Sequence, residues 1–385
     1  MKYLNLVTLV TTALVFTACT NSTLSKEEIL KQTKQKEQLG KVLFFDKNLS
    51  KNRTQACATC HNPDAGFADD RDNGIKSMAS LGDDGKSLGD RQAPSAAYAM
   101  FSPKFHYDKK NDKYIGGQFW DGREDTLAGQ AGGPPTNPIE MGMPSKEAVV
   151  ERLKENSYYI ETFKTIYGED IFSSNEKAYS AMTDSIEKFE QTKEFAPFDS
   201  KYDRYLRGEY DLTPLEDLGR SLFFSNANNS CANCHLSKKE DSEGETFTNF
   251  EYHNIGTPIN HELRAVNGVK EIDKGLLANP KVIDEKHLGK YKVPTLRNVA
   301  VTGPYMHNGV FKDLKTVVEF YDKYNNKERT INPETNKPWD EPEVKETISL
   351  EELKAKKQND RKVEALVAFM KLLTDKRYEH LLEEE

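Results

Sequence analysis

Two short strings decide the reading of this chain: Cys57-Ala58-Thr59-Cys60-His61 and Cys231-Ala232-Asn233-Cys234-His235. Each is a C-x-x-C-H, the spacing by which haem is attached covalently. The two thiols add across the vinyl groups and the adjacent imidazole ligates iron. Cys57, Cys60 and His61 would therefore hold one haem, and Cys231, Cys234 and His235 a second. The two strings use four of the five cysteines.

Each string is preceded by a related segment, Leu39-Gly40-Lys41-Val42-Leu43-Phe44-Phe45 in the first case and Leu218-Gly219-Arg220-Ser221-Leu222-Phe223-Phe224 in the second. The common order points to internal duplication of one haem-binding unit. Ser25 with Glu28, and Thr213-Pro214-Leu215-Glu216, carry the side chains of a capping box, so a helix is predicted in each unit, ending near its Phe pair. Further helices are expected at about 145–154, 175–192, 314–324 and 360–376, the last with Val363, Leu366, Val367, Met370 and Leu373 on one stripe. No run of alternating strand residues stands out. The expected class is mainly α, with two cytochrome c-like haem domains and long loops. The domains are placed at 20–205 and 206–385, with the junction near 195–211 and a C-terminal helix able to pack back on the first domain. Segments 238–245 and 328–346 read as surface excursions.

The chain has 385 residues, 36% hydrophobic and 30% charged, with a net charge of −8. Its mean hydropathy is −0.76. The acidic balance argues against nucleic acid as a partner and suits a basic redox partner. Residues 1–19 read as an export signal, with Lys2 at the start and an apolar stretch, Leu4–Phe16, too short to span a bilayer. The run Phe16-Thr17-Ala18-Cys19 resembles a bacterial lipobox, so Cys19 is expected to be the lipidated first residue of the mature protein. Ordinary cleavage near Ala18 is the alternative. Cytochrome c maturation outside the cytoplasmic membrane agrees with export, so the expected location is the periplasmic side of a bacterial membrane, on a lipid anchor.

Function turns on the second axial position of each iron, since a six-coordinate haem carries electrons and an open one binds peroxide. Between His61 and Trp120 only His106 offers another imidazole, and it sits in a polar loop. Met78 and Met100 are the thioethers nearby. For the second haem, Leu314, Val317, Val318 and Tyr321 fall on one helical face. That makes Tyr321 either a hydrogen-bonded core residue or an iron ligand, with Met306 and Met370 as rivals. Phe119-Trp120-Asp121-Gly122-Arg123 holds one of only two tryptophans. Downstream, Gln130, Pro134 and Glu140 lie in a Gly/Pro-rich stretch, where a carboxylate could move the proton that peroxide cleavage requires.

These strings together resemble the bacterial dihaem cytochrome c peroxidase and MauG family. The likeness includes the first haem string, Gln92-Ala93-Pro94-Ser95, the segment around Trp120, and Asn137-Pro138-Ile139-Glu140-Met141-Gly142. It continues through Val293-Pro294-Thr295-Leu296-Arg297-Asn298 and Thr302-Gly303-Pro304-Tyr305-Met306-His307-Asn308-Gly309. The resemblance implies that Trp120 lies between the haems as a stepping stone for electrons. It also implies that Gln130, Pro134 and Glu140 line the peroxide side of the first haem. Thr302 and Pro304 match positions whose carbonyls bind a calcium ion, and Gln92 stands there in place of the usual Asn. In the family the sixth ligand of the second haem lies fourteen residues after the His of the P-Y-x-H-x-G string, which is Tyr321 here. Typical peroxidases have Met at that place and the MauG type has Tyr. The segment 80–86, where the peroxidases carry a removable His, has none. One departure concerns MauG itself: the surface Trp it uses toward its partner, two residues before the second haem string, is Asn229 here. The remaining tryptophan is Trp339.

The expected activity is reduction of hydrogen peroxide to water at the haem of Cys57, Cys60 and His61, with Glu140 shuttling the proton and Gln130 orienting peroxide. Electrons would come from a small exported cytochrome c or cupredoxin. The alternatives are MauG-like oxidation of a partner protein's side chains and a non-enzymatic dihaem electron carrier.

Overall fold

The structure is a computed structural model that describes residues 25–225, 231–235 and 244–382. The signal segment with Cys19, Asn229 and most of the 238–245 segment lie outside the described residues.

The chain is helix-rich. The long helices are α1 (Lys26–Phe44), α4 (Lys146–Lys154), α5 (Ser157–Tyr167), α6 (Asn175–Glu190), α8 (Pro214–Phe223), α11 (Leu314–Asp322) and α12 (Asp360–Lys371). Between them lie the short helices α2 (Cys57–Cys60), α3 (Leu127–Ala131), α7 (Lys201–Leu206), α9 (Cys231–Cys234) and α10 (His261–Asn267). Both predicted capping boxes form: the Ser25 hydroxyl accepts from the Glu28 amide, and Thr213 from that of Glu216. Each of these helices stops at the first Phe of its pair. The C-terminal helix ends at Lys371, earlier than expected, and a 3-10 turn covers Lys376–Leu382. Helix α5 was not expected; its buried Tyr159, Phe163 and Ile166 recur at helical spacing, and Asn156 caps it.

Strand structure amounts to three two-stranded antiparallel pieces among the described residues. They pair β1 (His106–Asp108) with β2 (Lys113–Ile115), β3 (Tyr252–His253) with β4 (Tyr291–Lys292), and β5 (Ile331–Asn332) with β6 (Lys337–Pro338).

Two large hydrophobic clusters form. The first draws on residues from Leu39 to Phe198, including Phe44, Phe67, Phe163, Phe189 and Phe195. The second runs from Tyr202 to Leu373 and includes Phe223, Phe247, Leu366 and Phe369. In the first, α1 crosses α6, and in the second, α8 crosses α12. Polar ties join the two. Tyr98 donates to Asp375 at 2.6 Å, and Tyr378, past α12, donates to the Pro63 carbonyl at 2.7 Å. The segment 328–346 is more than a surface excursion. Its Trp339 packs edge-on against Phe311 and Phe320, and its Glu343 pairs with Arg264 at 2.8 Å.

Candidate active site

Each C-x-x-C-H makes a single helical turn closed by a bond from the His amide to the carbonyl of the first Cys, 2.9 Å in both copies. The imidazoles are then set from behind. His61 Nδ1 lies 3.2 Å from the Phe67 carbonyl and His235 Nδ1 lies 3.1 Å from that of Phe247. Both phenylalanines have left-handed backbones, with φ of 55° and 53°. A ring held through Nδ1 keeps Nε2 for a metal. Burial lowers the pKa of both imidazoles, His235 to about 4, which favours the neutral, ligating form.

Cys57, Cys60 and His61 line a cavity of about 400 Å³, and Cys231, Cys234 and His235 line another of about 230 Å³. None of the four thiols is in a disulfide. A pair of thiols beside an imidazole with a free Nε2, facing a cavity in an apolar core, fits a covalently attached haem in both places.

The two cavities differ in chemistry. The first is also lined by Gln92, Trp120, Gln130, Pro134 and Glu140, so the predicted polar group assembles there. Gln130 is set by α3, whose cap Thr126 accepts from Gly129 and whose Ala128 amide donates to Glu187 at 2.7 Å. The Glu140 carbonyl accepts from the Asp83 amide at 2.7 Å. Asp83 in turn accepts from the Thr54 hydroxyl at 2.6 Å and the Asn52 amide at 2.7 Å. The histidine-free 80–86 segment is thereby anchored beside Glu140. Burial raises the Glu140 pKa, opposed by the Arg123 charge and the Asn137 side chain.

The second cavity takes Tyr321 with Leu314, Val317 and Val318, the whole predicted face of α11. The hydroxyl of half-buried Tyr321 has no protein hydrogen-bond partner among the described residues, unlike those of the buried tyrosines Tyr98, Tyr159 and Tyr378. The core-residue reading required such a partner. Met306 and Met370 line the same cavity. Trp120 lines both cavities. Its indole donates to the Gln92 carbonyl at 2.8 Å, and its own carbonyl accepts from the Lys292 amide at 2.9 Å. Gly122, two residues on, has φ of 68°, and a Cβ there would lie 2.0 Å from the Tyr252 hydroxyl. The Trp120 loop therefore needs glycine at that position.

Other expected groups fall elsewhere. His106 is exposed, with Nδ1 2.8 Å from the Lys104 carbonyl, and lines neither cavity. Met78 is buried with its sulfur accepting from Asn260. Thr302 and Pro304 line neither cavity, although the Gln92 amide donates to the nearby His307 carbonyl at 2.7 Å.

Sequence reading missed a buried charge network. Arg91 pairs with Asp121 at 2.8 Å and Asp273 at 2.6 Å, and Arg123 shares Asp121 at 2.9 Å. The Arg91 guanidinium holds Asp273 down at about 2. Arg91, Asp121 and Arg123 line the first cavity. The Asp121-Gly122-Arg123 string was the available signal; nothing marked Asp273. Glu190 was also missed. It lines the first cavity, its Oε2 is buried without a hydrogen bond, and burial pushes it up to about 8.

Known proteins share this architecture. The family model described as Di-haem cytochrome c peroxidase matches residues 34–211. The chain is 50% identical over 352 residues to the methylamine utilization protein MauG of Paracoccus denitrificans, covering 90% of each. It is 32% identical to the cytochrome c peroxidase Ccp of Escherichia coli, covering 75% of this chain and 53% of that protein. The crystal structure of the diheme peroxidase BthA from Burkholderia thailandensis superposes with a TM-score of 0.79 at 30% identity, covering 89% of this chain and 86% of that one.

Proposed function

The chain belongs to the di-haem cytochrome c peroxidase and MauG family of oxidoreductases, and from that premise we propose that it reduces hydrogen peroxide to water with electrons drawn from another protein. Membership implies two c-type haems, held by Cys57, Cys60 and His61 and by Cys231, Cys234 and His235. When bound, the haems would supply the iron that takes peroxide and the capacity to hold and pass electrons. The observation that carries the reading is the division of labour between the cavities. Glu140 and Gln130 line only the first, Tyr321 only the second, and Trp120 both.

The residues then have distinct tasks. Glu140 takes a proton from the near oxygen of peroxide and returns it to the far one, which makes water the leaving group. Gln130 orients peroxide through its amide, and Pro134 limits the space beside it. Trp120 bridges the two cavities for electrons. Tyr321 would hold the second haem through its phenolic oxygen, an anionic donor that would favour the oxidised state, whereas the Met306 or Met370 thioether would favour the reduced one. The 80–86 segment has no imidazole to offer a haem in the first cavity, so none would have to be displaced by prior reduction. Thr302 and Pro304, with Gln92, would hold a calcium ion through carbonyl and amide oxygens, and the repeated segments before the haem strings derive from duplication of one unit. Export and a lipid anchor at Cys19 place the enzyme at a bacterial membrane surface on the periplasmic side. Its electron donor there is a small cytochrome c or cupredoxin.

A second reading, oxidation of side chains in a partner protein, is favoured by the 50% identity to MauG and by Tyr321. The test begins with the electron paramagnetic resonance spectrum of the untreated ferric protein. A high-spin signal that peroxide consumes at once is expected, and a wholly low-spin spectrum overturns both readings. Fast turnover with reduced cytochrome then supports the first reading. Slow turnover with a co-purifying, covalently altered protein supports the second.

A further inference from the structure

Tyr321 faces the second cavity, but its ring also touches the protein behind it. Phe320, fully buried, lies with its ring centroid 6.1 Å from that of Tyr321. On the other side of Phe320 stands Trp339, 5.7 Å away in an edge-on contact. Trp339 is only half-buried. Two ring contacts therefore join the wall of the second cavity to solvent. The indole is fixed at the outer end by its bond to the Arg329 carbonyl, 2.8 Å, and by the Phe311 ring at 5.8 Å. Tryptophan and tyrosine are the side-chain rings most readily oxidised, so a tryptophan at the surface end and a tyrosine at the cavity end suit one-electron transfer.

The surface around Trp339 has the composition of a transient docking patch. Ile331, at 46% exposure, pairs across the β5–β6 hairpin with the exposed Pro338. Of the five acids in the strap 334–346, Glu343 is buried against Arg264 and Glu341 pairs with Lys345 at 2.8 Å, which leaves Glu334, Asp340 and Glu346 against Lys337. Asp340 and Glu341 directly follow the indole and are exposed. A small apolar centre with an acidic rim fits a basic partner.

We propose that Trp339 is the electron-entry point of this protein, and that a small basic redox protein docks on the Ile331, Pro338 and Asp340 patch around it. The proposal rests on the peroxidase reading above and adds its route. Each peroxide takes up two electrons and two protons to give two waters. The reduced donor protein gives the electrons one at a time, and each donor molecule is oxidised by one electron. Each passes by Trp339, across Phe320, to Tyr321 at the second haem site and by Trp120 to the first. The Lys323 ammonium, 4.1 Å from the Phe320 centroid and 5.5 Å from that of Trp339, disfavours a lasting positive charge on the indole. Trp339 thus relays electrons without remaining oxidised.

The test uses the haem-loaded protein and reduced mitochondrial cytochrome c as the basic donor. Calorimetric titration at low ionic strength needs no turnover. Asp340→Lys combined with Glu341→Lys is expected to weaken binding at least tenfold, while Glu169→Lys, a control far along the chain, leaves it unchanged. Binding that is absent in the parent protein, or equally affected by the control, overturns the docking surface. Stopped-flow oxidation of the bound cytochrome after peroxide addition then reads the route. At cytochrome concentrations that saturate each variant, Trp339→Phe is expected to slow it at least tenfold, and Trp339→Tyr to restore most of the rate. An unchanged rate in Trp339→Phe removes the route while leaving the peroxidase reading intact. Failure of the parent protein to consume peroxide with ferrocyanide as reductant strikes the peroxidase reading instead, and binding still decides the docking surface.

Discussion

A carboxylate that must take a proton in water-poor surroundings works against its own desolvation, and Glu140 shows both sides of this. Burial raises its pKa, while Arg123 and Asn137 pull it back. Above that raised pKa the carboxylate is the base; below it the group is already protonated and cannot accept. The acid limb of kcat/KM for peroxide is therefore expected at a pH above the ordinary Glu value, and activity falls as pH drops through it. Glu140→Gln should lose roughly two to four powers of ten in peroxide reduction, the range for a positioned acid–base group, and should lose that limb. Pre-steady-state absorbance over a pH series measures both. A carrier would be indifferent to the change. At this scale the sequence was informative where a residue sits in a motif: Trp120, Gln130 and Glu140 all reach the first cavity. It was silent where a residue acts through a distant partner. Asp273 meets Arg91 across 182 positions, and no local pattern announces such a pair.

At the scale of elements, the two glycines of the repeated segments do the same work. A Cβ on Gly40 would lie 1.9 Å from the Ser185 carbonyl oxygen of α6, and one on Gly219 would lie 1.8 Å from that of Ala365 on α12. Each helix crossing closes to backbone contact, so the residues one turn further on, Leu43 and Phe44 or Leu222 and Phe223, reach the core. Gly40→Ala and Gly219→Ala must push the helices apart against a close-packed core. Each is expected to cost about 1–3 kcal/mol, read as a lowered Tm of the haem-loaded protein, although alanine is the better helix former. An unchanged Tm in either variant removes the crossing argument for that pair. Helix existence was legible for α4, α6, α11 and α12 because each is long enough to show a period. The six-residue α7 is too short for that, although Ser200 and Asp203 box its start. The strap around Trp339 reads as solvent-facing because its composition is polar, and the groups that tie it down, Trp339 on Phe311 and Phe320 and Glu343 on Arg264, are isolated residues with no period.

At the scale of the molecule, the polar tie at Asp375 makes stability depend on pH. This carboxyl accepts from Tyr98 at 2.6 Å and from Asn298 at 2.8 Å. It is buried, and burial pushes its pKa from 3.8 up to about 6 despite those bonds. The native state therefore keeps a proton that the unfolded chain gives up. The sign follows from linkage: this contribution is full below the unfolded pKa near 4 and is lost as pH rises through about 6. Two units correspond to at most about 3 kcal/mol. Asp273 works in the opposite sense. Its pKa, lowered to about 2 by Arg91, contributes stability above the unfolded value that disappears as pH falls from about 4 to 2. The two windows do not overlap, but Glu190, raised to about 8, and His235, lowered to about 4, also change stability between pH 4 and 6, so Asp375 is read from the difference between its variant and the parent. Asp375→Asn cannot ionise, and its Tm relative to the parent should become more favourable as pH rises through that interval, whatever the constant cost of the changed hydrogen bonds. Thermal unfolding of both haem-loaded proteins at pH 4.5 and pH 7 decides it. A difference between the two Tm values that does not vary with pH would mean that Asp375 is ionised throughout and that Tyr98 and Asn298 fully offset its burial.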